Sequence, residues 1–120
     1  FVAYARAQDS PPGSVPVCRL FSERYTSHFY AADRDECEAV VSRWPGVWML
    51  ETTEAFYINV PDQSTGTCSA GFQPVYRLYI ERNGPNHRYV TDRILRGLLI
   101  ARGWTSEGYG PDGVVYCTPM

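Results

Sequence analysis

Arginine, histidine and glutamate recur in one order at two places in this chain: Arg19, His28 and Glu51, then Arg77, His87 and Glu107. Tyr30 and Tyr89 stand two residues beyond each histidine. Such a set suits binding, since guanidinium and carboxylate groups hydrogen-bond sugar hydroxyls while a ring stacks on the sugar face. It equally suits a structural role in which each arginine pairs with its glutamate, because charges are rarely buried without a partner. The structural role is the expectation for these six residues. Catalysis finds little support. Ser27 and His28 are adjacent, and successive strand side chains face opposite ways, so they are no nucleophile and base by adjacency. There is no Gly-rich phosphate loop, metalloprotease helix motif or G-x-S-x-G elbow. Neither an enzyme nor a cofactor is expected. The four cysteines, Cys18, Cys37, Cys68 and Cys117, contain no C-x-x-C and have only two histidines to supplement them, so no metal site is expected.

The elements that must position these residues form a repeat. Val17-Cys18-Arg19-Leu20-Phe21 and Ser27-His28-Phe29-Tyr30 return as Val75-Tyr76-Arg77-Leu78-Tyr79 and Asn86-His87-Arg88-Tyr89, about 60 residues later. Within each copy the reading is strand, tight connection, strand, helix and a closing pair of strands. In the first copy the strands are Val17 to Ser22 and His28 to Ala31. Asp33 caps a helix that Pro45-Gly46 stops, with Cys37, Val40, Val41 and Trp44 on its buried face, and Val47 to Glu51 and Ala55 to Val60 close the unit around a Thr52-Thr53-Glu54 turn. In the second copy, Asn83-Gly84 supplies the turn, Asp92 caps a helix with Ile94, Leu95, Leu98 and Leu99 on one side, and Gly108 to Gly113 is an insertion. The expected fold is α+β, mostly β, a tandem repeat of short antiparallel strands with one helix per unit and a β-trefoil-like pseudo-threefold closure. Residues 1–16 read as the tail strand (Phe1 to Ala5) and linker of a preceding repeat, 17–60 as the first complete repeat, 61–74 as a linker and 75–120 as the second complete repeat.

Loops that differ between copies are freer to specify a partner than strands that recur. Tyr25, Asn86, Tyr109 and Asp112 are therefore the ligand-binding candidates, Tyr109 by ring stacking and Asp112 by accepting hydroxyl hydrogen bonds. At 14% aromatic residues, with nine tyrosines, the chain has rings to spare for contacts with glycan or protein. The net charge of −2, with no lysine and 11 arginines, offers no footprint for nucleic acid. No apolar run approaches the ~20 residues that span a bilayer.

Disulfides are the expected state of the cysteines, against the alternative of four reduced core thiols. Three connectivities are open. Helical spacing puts Cys37 on the buried side of its helix, and Cys18 alternates with Val17 and Arg19 in a strand of the same repeat, so Cys18–Cys37 would pin helix to strand, leaving Cys68 to join Cys117. Each bridge would contribute roughly 3 to 4 kcal/mol on a chain-entropy estimate.

The motifs V-C-R-L-F, S-H-F-Y, D-x-x-E-C-E-A-V and A-F-Y, then G-T-C-x-A-G-x-x-P-V-Y-R-L-Y, N-H-R-Y-x-T, G-W-x-x-E-G-Y-G-P-D and V-x-Y-C-x-P, resemble a repeat family of unknown function. Its members occur in secreted bacterial proteins, often appended to extracellular proteases and cell-wall hydrolases. The resemblance runs from Val17 to Pro119. It implies the pairs Cys18–Cys37 and Cys68–Cys117, an extracellular or bacterial cell-surface location, and a three-unit domain whose missing upstream repeat or attached domain precedes Phe1. The function expected on these grounds is a non-catalytic extracellular binding module for glycan or another cell-surface polymer. The alternative is a structural or assembly protein whose surface rings pack against neighbouring subunits.

Overall fold

Alternation of side chains along the first strand already divides the N-terminal unit into two faces. Cys18 and Leu20 point one way and are buried, whereas Arg19 and Phe21 point the other way and keep some exposure. The computed structural model describes residues 1–120 and resolves them into two compact units, Ala3–Ile58 and a second made of Phe1–Val2 with Asn59–Met120. Both are built from antiparallel strands and one α-helix, so the chain is α+β and mostly β.

In the N-terminal unit, β1 (Val15–Ser22) lies between β2 (Ser27–Ala31) and β3 (Met49–Ile58). The β1–β2 turn places Thr26 at φ 49, a costly conformation for a β-branched residue. Helix α1 (Arg34–Arg43) starts where the Asp33 side chain accepts the Asp35 amide, and Gly46 follows its end at φ 78. Its inner side meets the sheet through a core of Cys18, Leu20, Phe29, Ala31, Cys37 and Trp48, and Cys18 is bonded to Cys37 across a Cα separation of 6.7 Å.

The C-terminal unit is organised around β4 (Phe72–Glu81). β5 (Pro85–Val90) lies on one side, and β6 (Thr105–Glu107) and β7 (Val114–Pro119) share the other, end to end. Asn83 at φ 57 and Gly84 at φ 110 make the expected β4–β5 turn. Helix α2 (Arg93–Ala101) is capped by Asp92, whose carboxylate accepts the amides of Ile94 and Leu95. Its core is Tyr76, Leu78, Val90, Leu99 and Val114, with Leu95, Trp104 and Cys68 packed against it; Cys68 is bonded to Cys117, Cα to Cα 5.7 Å.

Four local expectations change. Phe1 to Ala5 form no strand; Tyr4 makes a single bridge to Tyr57, and Val2 exchanges hydrogen bonds with the Thr118 hydroxyl. Thr52-Thr53-Glu54 is no turn, because β3 continues through it and register shifts at Val17/Arg19 and Arg19/Leu20 take up the mismatch. On α2 only Leu95 and Leu99 face the core, while Ile94 and Leu98 are 77% and 51% exposed. Trp44 is likewise exposed, because it follows α1 rather than lying within it. Neither sheet closes into a barrel.

Candidate functional site

Strand register brings the recurring polar residues together on the sheet face opposite the helix. In the N-terminal unit Arg19 lies across from Tyr30 on β2, and Glu51 reaches back from β3. Arg19 Nε donates to Glu51 Oε1 at 2.8 Å and His28 Nε2 stands 3.2 Å from the same oxygen. In the C-terminal unit Arg77 lies across from both Tyr89 and Glu107. Arg77 Nε donates to Glu107 Oε1 at 3.1 Å, and His87 Nε2 is again 3.2 Å away.

The two clusters differ in solvation. Arg19 and His28 side chains are 39% and 43% exposed, whereas Arg77 and His87 are 8% and 10% exposed. Burial alone would push the Glu107 carboxyl up, but the His87 hydrogen bond and the Arg77 charge outweigh it and hold the group below its ordinary value. That carboxylate is a fixed anion between two donors. Its chemistry is to orient Arg77 and His87, which suits the C-terminal cluster to a structural role.

Rings extend each cluster. On the N-terminal face Phe21 meets His28 at 4.9 Å between centroids, His28 stacks on Tyr30 at 6.2 Å and Tyr30 meets Phe56 at 5.9 Å. All three of Phe21, Tyr30 and Phe56 are part-exposed. On the C-terminal face Tyr79 meets His87 at 5.1 Å, Tyr89 stacks on Tyr116 at 5.8 Å and Phe1 adds a further ring to Tyr116 at 6.0 Å. Here Tyr116 is fully buried.

The loop candidates fall in both units, Tyr25 in the N-terminal one and Asn86, Tyr109 and Asp112 in the C-terminal one, where Asn86 stands apart from the other two. Tyr25 is half-buried against the N-terminal core and carries the Arg24 guanidinium over its ring. Asn86 is exposed, but its Nδ2 donates to the carbonyls of Arg82 and Gly84 and so closes the turn before it. It lies opposite Ile80, while the strand that follows Tyr109 and Asp112 joins β4 at Tyr76. Four residues of strand separate these places, about 13 Å. Asp112 already accepts two hydrogen bonds from Arg93, at 2.8 and 3.2 Å, and its carbonyl accepts Arg96 Nε at 2.8 Å.

The insertion therefore has folding duty. Tyr109 bridges Val114, and the loop lies backbone to backbone against Pro61 to Thr67, so close that a Cβ on Gly110 would stand 2.1 Å from the Thr65 carbonyl oxygen. The facing loop is tied by Asp62, whose Oδ1 accepts the amides and hydroxyls of Ser64 and Thr65. The Ser64 hydroxyl, followed by the Thr65 and Ser64 amides, holds this carboxyl below its ordinary value.

Compared with protein families, residues 2–113 match the domain of unknown function DUF5648. The chain belongs to this family. No curated protein and no solved structure matches it. In this DUF5648 domain the two disulfides are those expected and point to an oxidising, non-cytoplasmic compartment. No helix is long and apolar enough to cross a membrane.

Sequence reasoning passed over three arginines of this DUF5648 domain. Arg93 and Arg96 hold the insertion, and Arg34 stands at the start of α1 as Arg93 does at the start of α2. The signal was the dipeptide Asp-Arg at both helix starts, Asp33-Arg34 and Asp92-Arg93, in a chain with no lysine.

Proposed function

We propose that this chain is a non-catalytic extracellular binding module whose ligand is a glycan or another cell-surface polymer. The observation that carries the reading is the part-exposed row Phe21, His28, Tyr30 and Phe56 beside the solvated Arg19–Glu51 pair. Rings offer sugar faces an apolar contact, and a part-exposed guanidinium and carboxylate offer a donor and an acceptor to hydroxyls beside it. Matched strand registers around Arg19 and Arg77 support treating the two units as copies of one repeat. The buried cluster then does the folding work and its exposed counterpart is available to a ligand. Secretion, attachment to a larger extracellular enzyme and membership of a three-unit domain follow from the resemblance and belong to the same proposal.

The test is a screen of the protein against glycans and cell-wall polymers, repeated with Tyr30→Ala and Arg19→Gln. Each variant should bind about tenfold more weakly, as expected for losing a stacked ring or a charged donor, with little change in melting temperature. Absence of any bound polymer, or variants that bind like the parent, overturns the reading.

A second reading has its own observation. Ile94 and Leu98 form an exposed apolar stripe on α2, which suits an assembly protein that packs against neighbouring subunits. Sedimentation distinguishes the two, because an assembly unit self-associates through that stripe and Ile94→Glu with Leu98→Glu disperses it.

A further inference from the structure

In the C-terminal unit the insertion Gly108 to Gly113 is seated on a particular set of groups. Asp112 pairs with Arg93, its carbonyl accepts from Arg96 and from the Ser106 hydroxyl, and Arg96 lies over the Tyr76 ring at 5.5 Å. Each of the four seats has a positional counterpart in the N-terminal unit. Arg34 and Cys37 stand one and four residues after the Asp33 cap, as Arg93 and Arg96 stand after Asp92. Leu50 faces Leu20 as Ser106 faces Leu78, and Cys18 directly precedes Arg19 as Tyr76 precedes Arg77.

Those four counterparts, Arg34, Cys37, Leu50 and Cys18, together line an open groove of about 730 Å³ between α1 and its sheet. The N-terminal unit has no loop to fill that place, because β3 continues through Thr52, Thr53 and Glu54 with only a bulge opposite Cys18 instead of looping out. Arg34 makes no ion pair or side-chain hydrogen bond, and Leu50 is half-exposed although its alternation turns it toward the helix.

We infer that this groove is a second binding site, which takes a carboxylate-bearing turn of a partner protein. The carboxylate pairs with Arg34 as Asp112 pairs with Arg93. The proposal rests on the correspondence of the two units and is independent of the glycan reading. A peptide ligand is favoured over an acidic sugar because the matching seat in the same chain pairs its arginine with the carboxylate of a peptide turn, and the apolar Leu50 and the disulfide in the groove suit an apolar side chain rather than hydroxyls. Specificity differs from that seat in two ways. Leu50 in place of Ser106, and the Cys18–Cys37 bridge in place of Tyr76 with Arg96, turn two polar anchors into apolar ones, so the partner turn must offer an apolar side chain next to its carboxylate. Glu38 lines the groove one helical turn beyond Arg34 and repels a second acid, which limits the ligand to a carboxylate at the Arg34 end.

The experiment uses the whole chain, isotope-labelled, titrated with a backbone-cyclised peptide of the sequence of residues 108–113. Amide shifts should move at Arg34, Leu50 and Thr53. Replacing the peptide's aspartate by asparagine, or Arg34→Gln in the protein, should weaken binding about tenfold, as for loss of a charge-assisted bidentate pair. Glu38→Gln should tighten it. Arg34 and Glu38 are both exposed, so neither variant threatens the fold. The inference falls if no groove amide moves at about 10 mM peptide, a concentration that detects even millimolar affinity. It also falls if the asparagine peptide or Arg34→Gln binds unchanged, or if glucuronate moves the same amides more strongly than the peptide does. A negative glycan screen alone leaves it standing.

Discussion

Replacing Glu107 by Gln separates the two polar clusters energetically. The substitution keeps the size of the side chain and removes the negative charge that Arg77 faces at 3.1 Å and His87 at 3.2 Å. Both donors are about nine-tenths buried, so water cannot take over the role of the carboxylate. Breaking a buried pair by removing one partner costs about 3 to 5 kcal/mol, and since Glu107 is itself about a third exposed the expected cost is nearer 2 to 3 kcal/mol. In a domain of this size that is a fall in melting temperature of about 10 °C. Glu51→Gln makes the same change at a carboxylate of similar exposure, but its partners Arg19 and His28 are 39% and 43% exposed, so water can replace it and the cost should be less than about 1 kcal/mol. The pH dependence has a definite sign. The Glu107 carboxyl is held below its ordinary value of 4.5 in the folded chain, so the unfolded chain takes up a proton first as acid is added. The stability contributed by ionised Glu107 is therefore complete above about pH 4.5 and is lost as pH falls through the lower folded value. Parent and Glu107→Gln should differ most near neutrality and converge in acid. Urea denaturation at several pH values measures both effects. If Glu51→Gln destabilises as much as Glu107→Gln, or if the difference persists unchanged into acid, the contrast between a buried and a solvated cluster is refuted.

Two further outcomes are expected. Gly110→Ala should destabilise by at least about 2 kcal/mol because its Cβ meets backbone at 2.1 Å, whereas Gly46→Ala, at φ 78 but in open space, should cost only about 1 kcal/mol; equal melting points for the two would contradict the loop-on-loop packing. Peptide mapping without reductant should recover Cys18–Cys37 and Cys68–Cys117, and removing the second bridge should cost about 1 kcal/mol more than removing the first, since it closes 49 residues rather than 19.

The parts of this fold legible in the sequence are those governed by local chemistry. Asp33 and Asp92 cap helices because a short carboxylate reaches the free amides of a first turn, and Asn83-Gly84 turns because both residues tolerate positive φ. Cys18 and Cys37 are legible as partners because helix spacing predicts an inward Cys37 and Cys18 lies in a strand of the same unit, a pairing the resemblance also implies. The misreadings share one cause, which is that composition does not say what will cover a surface. Ile94, Leu95, Leu98 and Leu99 form one apolar arc on a helical projection, but Leu95 and Leu99 sit about 100° round from Ile94 and Leu98, and only the first pair meets the sheet. Thr52-Thr53-Glu54 stands in sequence where the C-terminal unit has Gly108 to Gly113 and so resembles a turn, although threonine is at home in strands and a bulge absorbs the difference in length. The same limit applies to the site. Arg19, His28 and Glu51 carry the same letters as Arg77, His87 and Glu107, and no local rule distinguishes the cluster that folding shields from the one it leaves in water. Asp112 shows it from the other side: its exposed-type residue and loop setting suggested a ligand contact, yet Arg93 and Arg96, a helix away in sequence, make it an anchor. What is informative is the asymmetry between the two units: the seat that Gly108 to Gly113 fills in one corresponds by position to an open groove in the other, and that groove is where the proposed partner turn would dock.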